Sequence, residues 1–350
     1  MTLTPNALCI IDNKIYFSDR YVHGLFVYDI KDKKTSLVSV FEKEMGELDA
    51  LHYCVVEKDN KLYFLPFNAE NIAIYNIDNK TLEYVSLPVQ YENTRGKFFT
   101  GAIVNEKIYM FGYDVSGVLV YNIKSQSFKC IYQPLVEKSE ELKKRDLWEI
   151  SKVINVNDVL YAVSPLLNIL VKIDTSNDDC EVILTGKDAG GYSDLVQEGN
   201  HLLLVPYQDQ SLKKYDIEKN ELVTLDFEMK ANQQFYFCSF CLSEKKHILV
   251  PYDNISNAML YDFENDSLQD YQLDDVIVGK GITSCFNLYD EVIINDIYES
   301  CLYFLDKKRN KAYKIDLTCS VPIKNLSNKR LLRERYLFGI KELIECLNGE

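Results

Sequence analysis

The chain has 350 residues, 47% of them hydrophobic and 26% charged, the composition of a globular protein with a large buried core. Its net charge of −14, from 39 basic and 53 acidic residues, opposes affinity for phosphate backbones or anionic lipid, which need clustered Lys and Arg. No nucleic acid and no membrane are therefore expected among its partners.

The opening segment, MTLTPNALCIIDNKIYF, has no basic n-region, long apolar stretch or small-residue cleavage site, and no apolar run approaches the roughly 20 residues that span a bilayer. The expected location is cytoplasmic, with the 10 cysteines reduced and mostly buried. Only Cys238 and Cys241 have redox or metal spacing. They lie in an apolar strand-like run, FYFCSFCLS, where residues three apart point to opposite faces, so a structural role is expected.

From residue 28 onward one pattern recurs: VYDIKDKKTSLV, IYNIDNKTLEYV, VYNIKSQSFKCI, KIDTSNDDCEVI, KYDIEKNELVTL, LYDFENDSLQDY and FLDKKRNKAYKI. The anchors are Tyr28, Tyr75, Tyr121, Ile173, Tyr215, Tyr261 and Leu305, each followed by Asp or Asn, at intervals of 42 to 52 residues. That period suits a four-stranded propeller blade, and the Tyr, Val, Ile and Leu alternating with period two exclude a helical repeat. Each anchor has a partner seven residues on, from Thr35 to Ala312, the separation of a short hairpin whose Asp or Asn can accept bonds from the turn backbone. Upstream of each anchor lie two further apolar strands, such as YCVVE followed by NKLYFLP. The fold class expected is all-β, a seven-bladed β-propeller of four-stranded antiparallel blades over residues 1–320, with a C-terminal amphipathic helix over 321–350.

The third unit, NEKIYMFGYDVSGVLVYNIKSQSFKCI, resembles a kelch repeat: a strand ending in Phe-Gly, a variable loop, a Tyr-Asn pair, then a polar turn and an aromatic. Kelch repeats carry Gly-Gly where this chain has Phe17-Ser18, Leu65-Pro66, Phe111-Gly112, Val205-Pro206 and Val250-Pro251. The resemblance implies a binding platform for a protein or glycan, or less often an enzyme.

Ligand-binding groups are expected in the loops that lead into successive blades, which vary in length while the repeat does not. Taken in order, these loops bring His52 with Tyr53, Arg95 and Lys97 with Phe98, Trp148 with Glu149 and Lys152, Tyr192 with Asp194, and Gln234 with Tyr236. Aromatic faces beside hydrogen-bonding groups suit a sugar or peptide. Trp148, in the longest connecting loop, is the leading single candidate. The four histidines fall in four different units, and no nucleophile elbow, phosphate loop or dinucleotide fingerprint is present, so no metal and no cofactor are expected. DAGGY, at Asp188 to Tyr192, reads as a tight turn rather than an anion nest.

The tail places Leu332, Tyr336, Ile340, Leu343, Ile344 and Leu347 on one helical face, with Ser327 as a cap. It either closes on the propeller or docks a partner. Two functions follow from this reading. The first is a non-catalytic module holding a protein segment or glycan at a loop-rich mouth. The second is a carbohydrate-active enzyme, an epimerase, lyase or hydrolase, that uses His52, Glu149, Asp194 and Arg95 as acid, base and anion clamp.

Overall fold

The structure, a computed structural model, describes residues 1–44, 49–92, 94–137, 148–186, 190–207, 211–227, 236–252 and 255–320. Their strands form seven four-stranded sheets, each hydrogen-bonded in chain order. The first strands are Pro5–Ile11, His52–Lys58, Phe98–Val104, Lys152–Val156, Tyr192–Glu198, Phe237–Ser243 and Ile282–Leu288. The second strands are Lys14–Asp19, Lys61–Pro66, Lys107–Gly112, Val159–Val163, His201–Pro206, Lys246–Pro251 and Glu291–Asp296. Neighbouring strands run antiparallel. Seven sheets of this make-up are the blades that the repeat predicts. The helix expected over 321–350 lies outside the described residues.

The second strand of each sheet is buried along its length except at its leading residue. In KLYFLP only the leading Lys61 reaches solvent appreciably, whereas the fourth strand of the same sheet, TLEYVS, is exposed or half-buried throughout. A short, unbroken apolar run is the signature of a strand covered on both faces, which is why LYFL and IYMF read as near-continuous hydrophobic blocks.

Two compact units divide the chain: Met1–Ile103 with the stretch that begins at Asp316, and Val104–Ile315. In the first, Ala7, Tyr16, Leu25, Phe41, Phe64 and Tyr75 belong to one core. The last described residues of this unit pair with its first. The Leu3 amide donates to the Leu317 carbonyl at 2.8 Å, and the Cys319 amide donates to Met1 at 3.0 Å. In the second, Tyr161, Tyr192, Leu204 and Tyr215 share one cluster, and Ile248, Val250, Ile294 and Tyr303 share another.

The turn between third and fourth strands is built alike in all seven sheets. Asp29 Oδ1 accepts from the amides of Lys31 and Asp32, both at 3.0 Å, and Asn76 Oδ1 from Asp78 and Asn79 at 3.0 and 3.2 Å. Asn122, Asp174, Asp216, Asp262 and Asp306 each accept from one or two turn amides in the other five. These side-chain acceptors stand in for a backbone turn bond. Five residues after each anchor the backbone turns left-handed, with φ from 44° to 61°, at Lys33, Lys80, Gln126, Asp178, Asn220, Asp266 and Asn310. The anchor then lies opposite its partner, as in Tyr75 with Leu82 and Tyr215 with Leu222, and every anchor side chain is buried.

Candidate functional site

At the other end of each sheet the second strand finishes, and the residue just past it bonds through its backbone to the segment leading into its own sheet, into the next, or both. The Phe67 amide donates to the Leu51 carbonyl of its own sheet at 2.8 Å, and its carbonyl accepts from Lys97 on the way to the next at 2.9 Å. Tyr113 accepts from Trp148 and Glu149 at 3.2 and 2.9 Å, and the Tyr207 and Tyr252 amides donate to Gly191 and Tyr236 at 3.0 and 2.7 Å. The strand end itself varies. Asp19, Ser164 and Asp296 bond forward to turn amides, proline stands at 66, 206 and 251, and glycine at 112. Gly112 leaves no room for a side chain, since an added Cβ would lie 2.0 Å from the Val115 carbonyl oxygen. DAGGY has the same cause: a Cβ on Gly191 would lie 2.0 Å from the Ser164 carbonyl oxygen, so a close backbone approach explains the glycine.

Several residues expected at a ligand surface are instead packed inside. His52 is fully buried against Phe41 and Phe64, ring centres 4.7 and 5.4 Å away, and burial with some help from His23 pushes its pKa down to about 3. Such an imidazole stays neutral and out of reach, which removes it from the acid–base set. Trp148 is also fully buried, its indole stacked on Tyr132 at 5.9 Å, so a ligand cannot use its face. Tyr192 is buried as well. Lys97 is inside too, its ammonium donating to the Ala69 carbonyl at 3.0 Å and lying 3.6 Å from Glu70. Burial draws its pKa below the ordinary lysine value against the pull of Glu70 and Glu44. Arg95 is exposed.

Of the remaining predicted residues, Tyr236 and Glu149 form one group in the second unit, with partners that the sequence does not point to directly, and Lys152 and Asp194 form an ion pair there. Tyr236 lies with its hydroxyl 3.4 Å from that of Tyr113 and its ring 4.8 Å from Tyr207, and all three rings are half-buried. Glu149 and Asp114 border them. Burial raises the Glu149 carboxyl above the usual carboxylate range, with Asp114 adding to the rise, and burial also raises Asp114. The Tyr236 and Tyr113 phenols are raised chiefly by burial. Among the described residues neither carboxylate has a cationic partner. From the same unit, Lys152 pairs with Asp194 at 3.0 Å; 37% of the lysine side chain and 1% of the aspartate are exposed. Asp194 holds the Lys152 pKa above its ordinary value against the effect of burial.

The missed residues left a signal. Phe67, Tyr113, Tyr207 and Tyr252 each follow directly on Leu-Pro, Phe-Gly, Val-Pro and Val-Pro, an aromatic one step past the second strand in four of seven units. In the first unit the corresponding group is apolar: Phe67 lies 4.5 Å from Tyr53, and Phe99 stacks on Tyr53 at 4.8 Å.

No protein-family model matches the sequence, and no curated protein is significantly similar to it. Solved structures do share its fold. Virginiamycin B lyase from Staphylococcus aureus, 11% identical, superposes with a TM-score of 0.63 over 85% of this chain and 94% of that one. The β-propeller domain of Cps50 (Swd1) from Myceliophteria thermophila, 9% identical, gives 0.58 over 91% and 98%. The chain is a seven-bladed β-propeller. A third propeller relative in shape, the extracellular domain of a putative one component system from B. thetaiotaomicron, is 12% identical with a TM-score of 0.61 over 89% of this chain, which spans 46% of that one. Identities this low speak for the propeller fold and leave function to the site. Among the described residues no helix is long and apolar enough to cross a membrane.

Proposed function

We propose that this propeller is a non-catalytic binding module that takes a protein segment, through a basic side chain, against Tyr113, Tyr207 and Tyr236 with Glu149 and Asp114 beside them. The observation that carries this reading is the pairing of three half-buried tyrosines with two burial-raised carboxylates that have no cationic partner among the described residues. A guanidinium or ammonium over a tyrosine face gains roughly 0.5–2 kcal/mol, and one that also meets a partly desolvated carboxylate relieves its cost of ionisation. The net charge of −14 steers the same class of ligand. The kelch-like repeat, the cytoplasmic location and a second docking role for the 321–350 tail belong to this proposal. Their support is the Phe-Gly and Tyr-Asn pattern of the third unit, cysteines that form no disulfide among the described residues, and the amphipathic tail pattern.

Calorimetric titration with Arg- and Lys-containing peptides, their Ala-substituted versions and neutral oligosaccharides tests it. Basic peptides should bind, weaken with salt, and lose about tenfold on Tyr236→Ala or Glu149→Gln, each tenfold being about 1.4 kcal/mol. Binding of oligosaccharides alone would overturn it. One feature favours a second reading, a carbohydrate-active enzyme: Glu149, with its raised carboxyl, has the character of a general acid in the same unit as the Lys152–Asp194 pair. Turnover of an oligosaccharide that survives in the Glu149→Gln, Asp194→Asn double variant would exclude that role.

A further inference from the structure

The second unit holds a pair of thiols that the proposed binding role does not use. Cys238 lies in the first strand of the sixth sheet and Cys285 in the first strand of the seventh, 47 residues apart, and their sulfurs are 3.1 Å from each other. The CSFC spacing is irrelevant to this contact. Cys241 sits opposite His247 and donates to the Ser243 carbonyl at 3.3 Å, whereas Cys238 sits opposite Val250 and meets a cysteine one repeat away. Around the pair are Phe240, Ile248, Val250, Ile282 and Ile294, which hold both strands in one apolar core. Cys238 is 5% exposed and Cys285 is half-buried.

We propose that Cys238 and Cys285 are a redox pair that peroxide converts to a disulfide, stapling the first strands of the sixth and seventh sheets. The sulfurs need to close by about 1 Å to reach bonding distance, which side-chain rotation on two fixed strands can supply. The more exposed Cys285 reacts first: it gives up its proton, its sulfur attacks one peroxide oxygen, the O–O bond breaks, and the leaving hydroxide takes that proton, so a sulfenic acid and one water result. The Cys238 sulfur then displaces the hydroxyl from Cys285, forming the S–S bond and releasing a second water. Two thiols are oxidised and one peroxide is reduced. Burial raises the Cys238 thiol, Cys285 and Asp194 add to the rise and the Lys152 ammonium opposes it, which with its lower exposure makes Cys238 the slower, resolving partner.

The test is the full chain treated with hydrogen peroxide, alkylated with iodoacetamide, digested without reductant and sequenced by fragmentation. The expected product is a Cys238–Cys285 cross-linked peptide, lighter than its parts by two hydrogens and reversed by dithiothreitol. It should persist in Cys241→Ser and Cys301→Ser and vanish in Cys285→Ser. The bond closes a loop of 47 residues, so the melting temperature of the oxidised protein should rise by roughly 5–10 °C and return on reduction. Recovery of Cys238 and Cys285 from the oxidised wild-type chain only as alkylated thiols or as sulfinic and sulfonic acids would overturn the proposal. So would a cross-link that joins any other pair. The wild-type reading needs no variant to fold.

Discussion

The two ends of each sheet obey different rules. At the third-to-fourth turn all seven sheets use the same device, an Asp or Asn accepting from the turn amides and a left-handed residue five past the anchor. At the second-strand end the sheets diverge, with aspartate, serine, proline or glycine serving the same position and aromatic residues following it in four units. A uniform end is what repeated blades need to stack alike. The divergent end carries the half-buried tyrosines, the raised carboxylates and the sheet-to-sheet backbone bonds. Even there some aromatics are buried and others reach solvent, as Trp148 and Tyr207 show.

The sharpest way to test that contrast is to truncate both rings. Trp148→Ala should cost about 3–5 kcal/mol of stability, because it empties a fully buried site; Tyr207→Ala, half-buried, should cost far less while weakening peptide binding. Urea unfolding beside peptide titration separates the two, and a Trp148 variant of unchanged stability would break the distinction. Next in size is an effect of acid. His52 has a folded pKa of about 3 against an ordinary 6.5, so below pH 6.5 the unfolded chain takes up a proton that the fold refuses. Its contribution is therefore full above pH 6.5 and lost as the pH falls towards 3, with about 2–3 kcal/mol gone by pH 4.5. His52→Leu should flatten that part of the stability profile between pH 7 and 4.5. At the uniform end, Asn76→Ala and Asn122→Ala should each cost only about 1 kcal/mol, the worth of a local turn bond, and leave peptide affinity unchanged. The smallest change runs the other way. Gln126→Gly, at φ 54°, should stabilise by a few tenths of a kcal/mol, readable as a small rise in melting temperature.

The uniform end was legible because its determinants are local. An Asp or Asn, a fixed spacing and period-two hydrophobicity act within a dozen residues, so Tyr28 through Leu305 could be aligned and the strands placed from the pattern alone. The candidate site was legible only in part. Glu149, Lys152 and Tyr236 keep exposed surface in one unit, with Asp194 buried as the ion-pair partner of Lys152, whereas His52, Lys97, Trp148 and Tyr192, of the same residue types and in equivalent loops, are buried. Tyr113 and Tyr207 were passed over although their place, one step past the second strand, recurs in the repeat. Residue type cannot separate these cases, because a tryptophan or a histidine serves as well inside as at a surface.

Strand count, blade count and turn chemistry were thus decided by short-range pattern, since hydrophobic alternation and turn propensity depend on neighbours along the chain. Which aromatics stay accessible, which lysine finds Asp194 and which cysteine finds Cys238 were decided only by the packing of one sheet against the next. Those contacts join residues some 40 or more positions apart, beyond the reach of any pattern between neighbours along the chain.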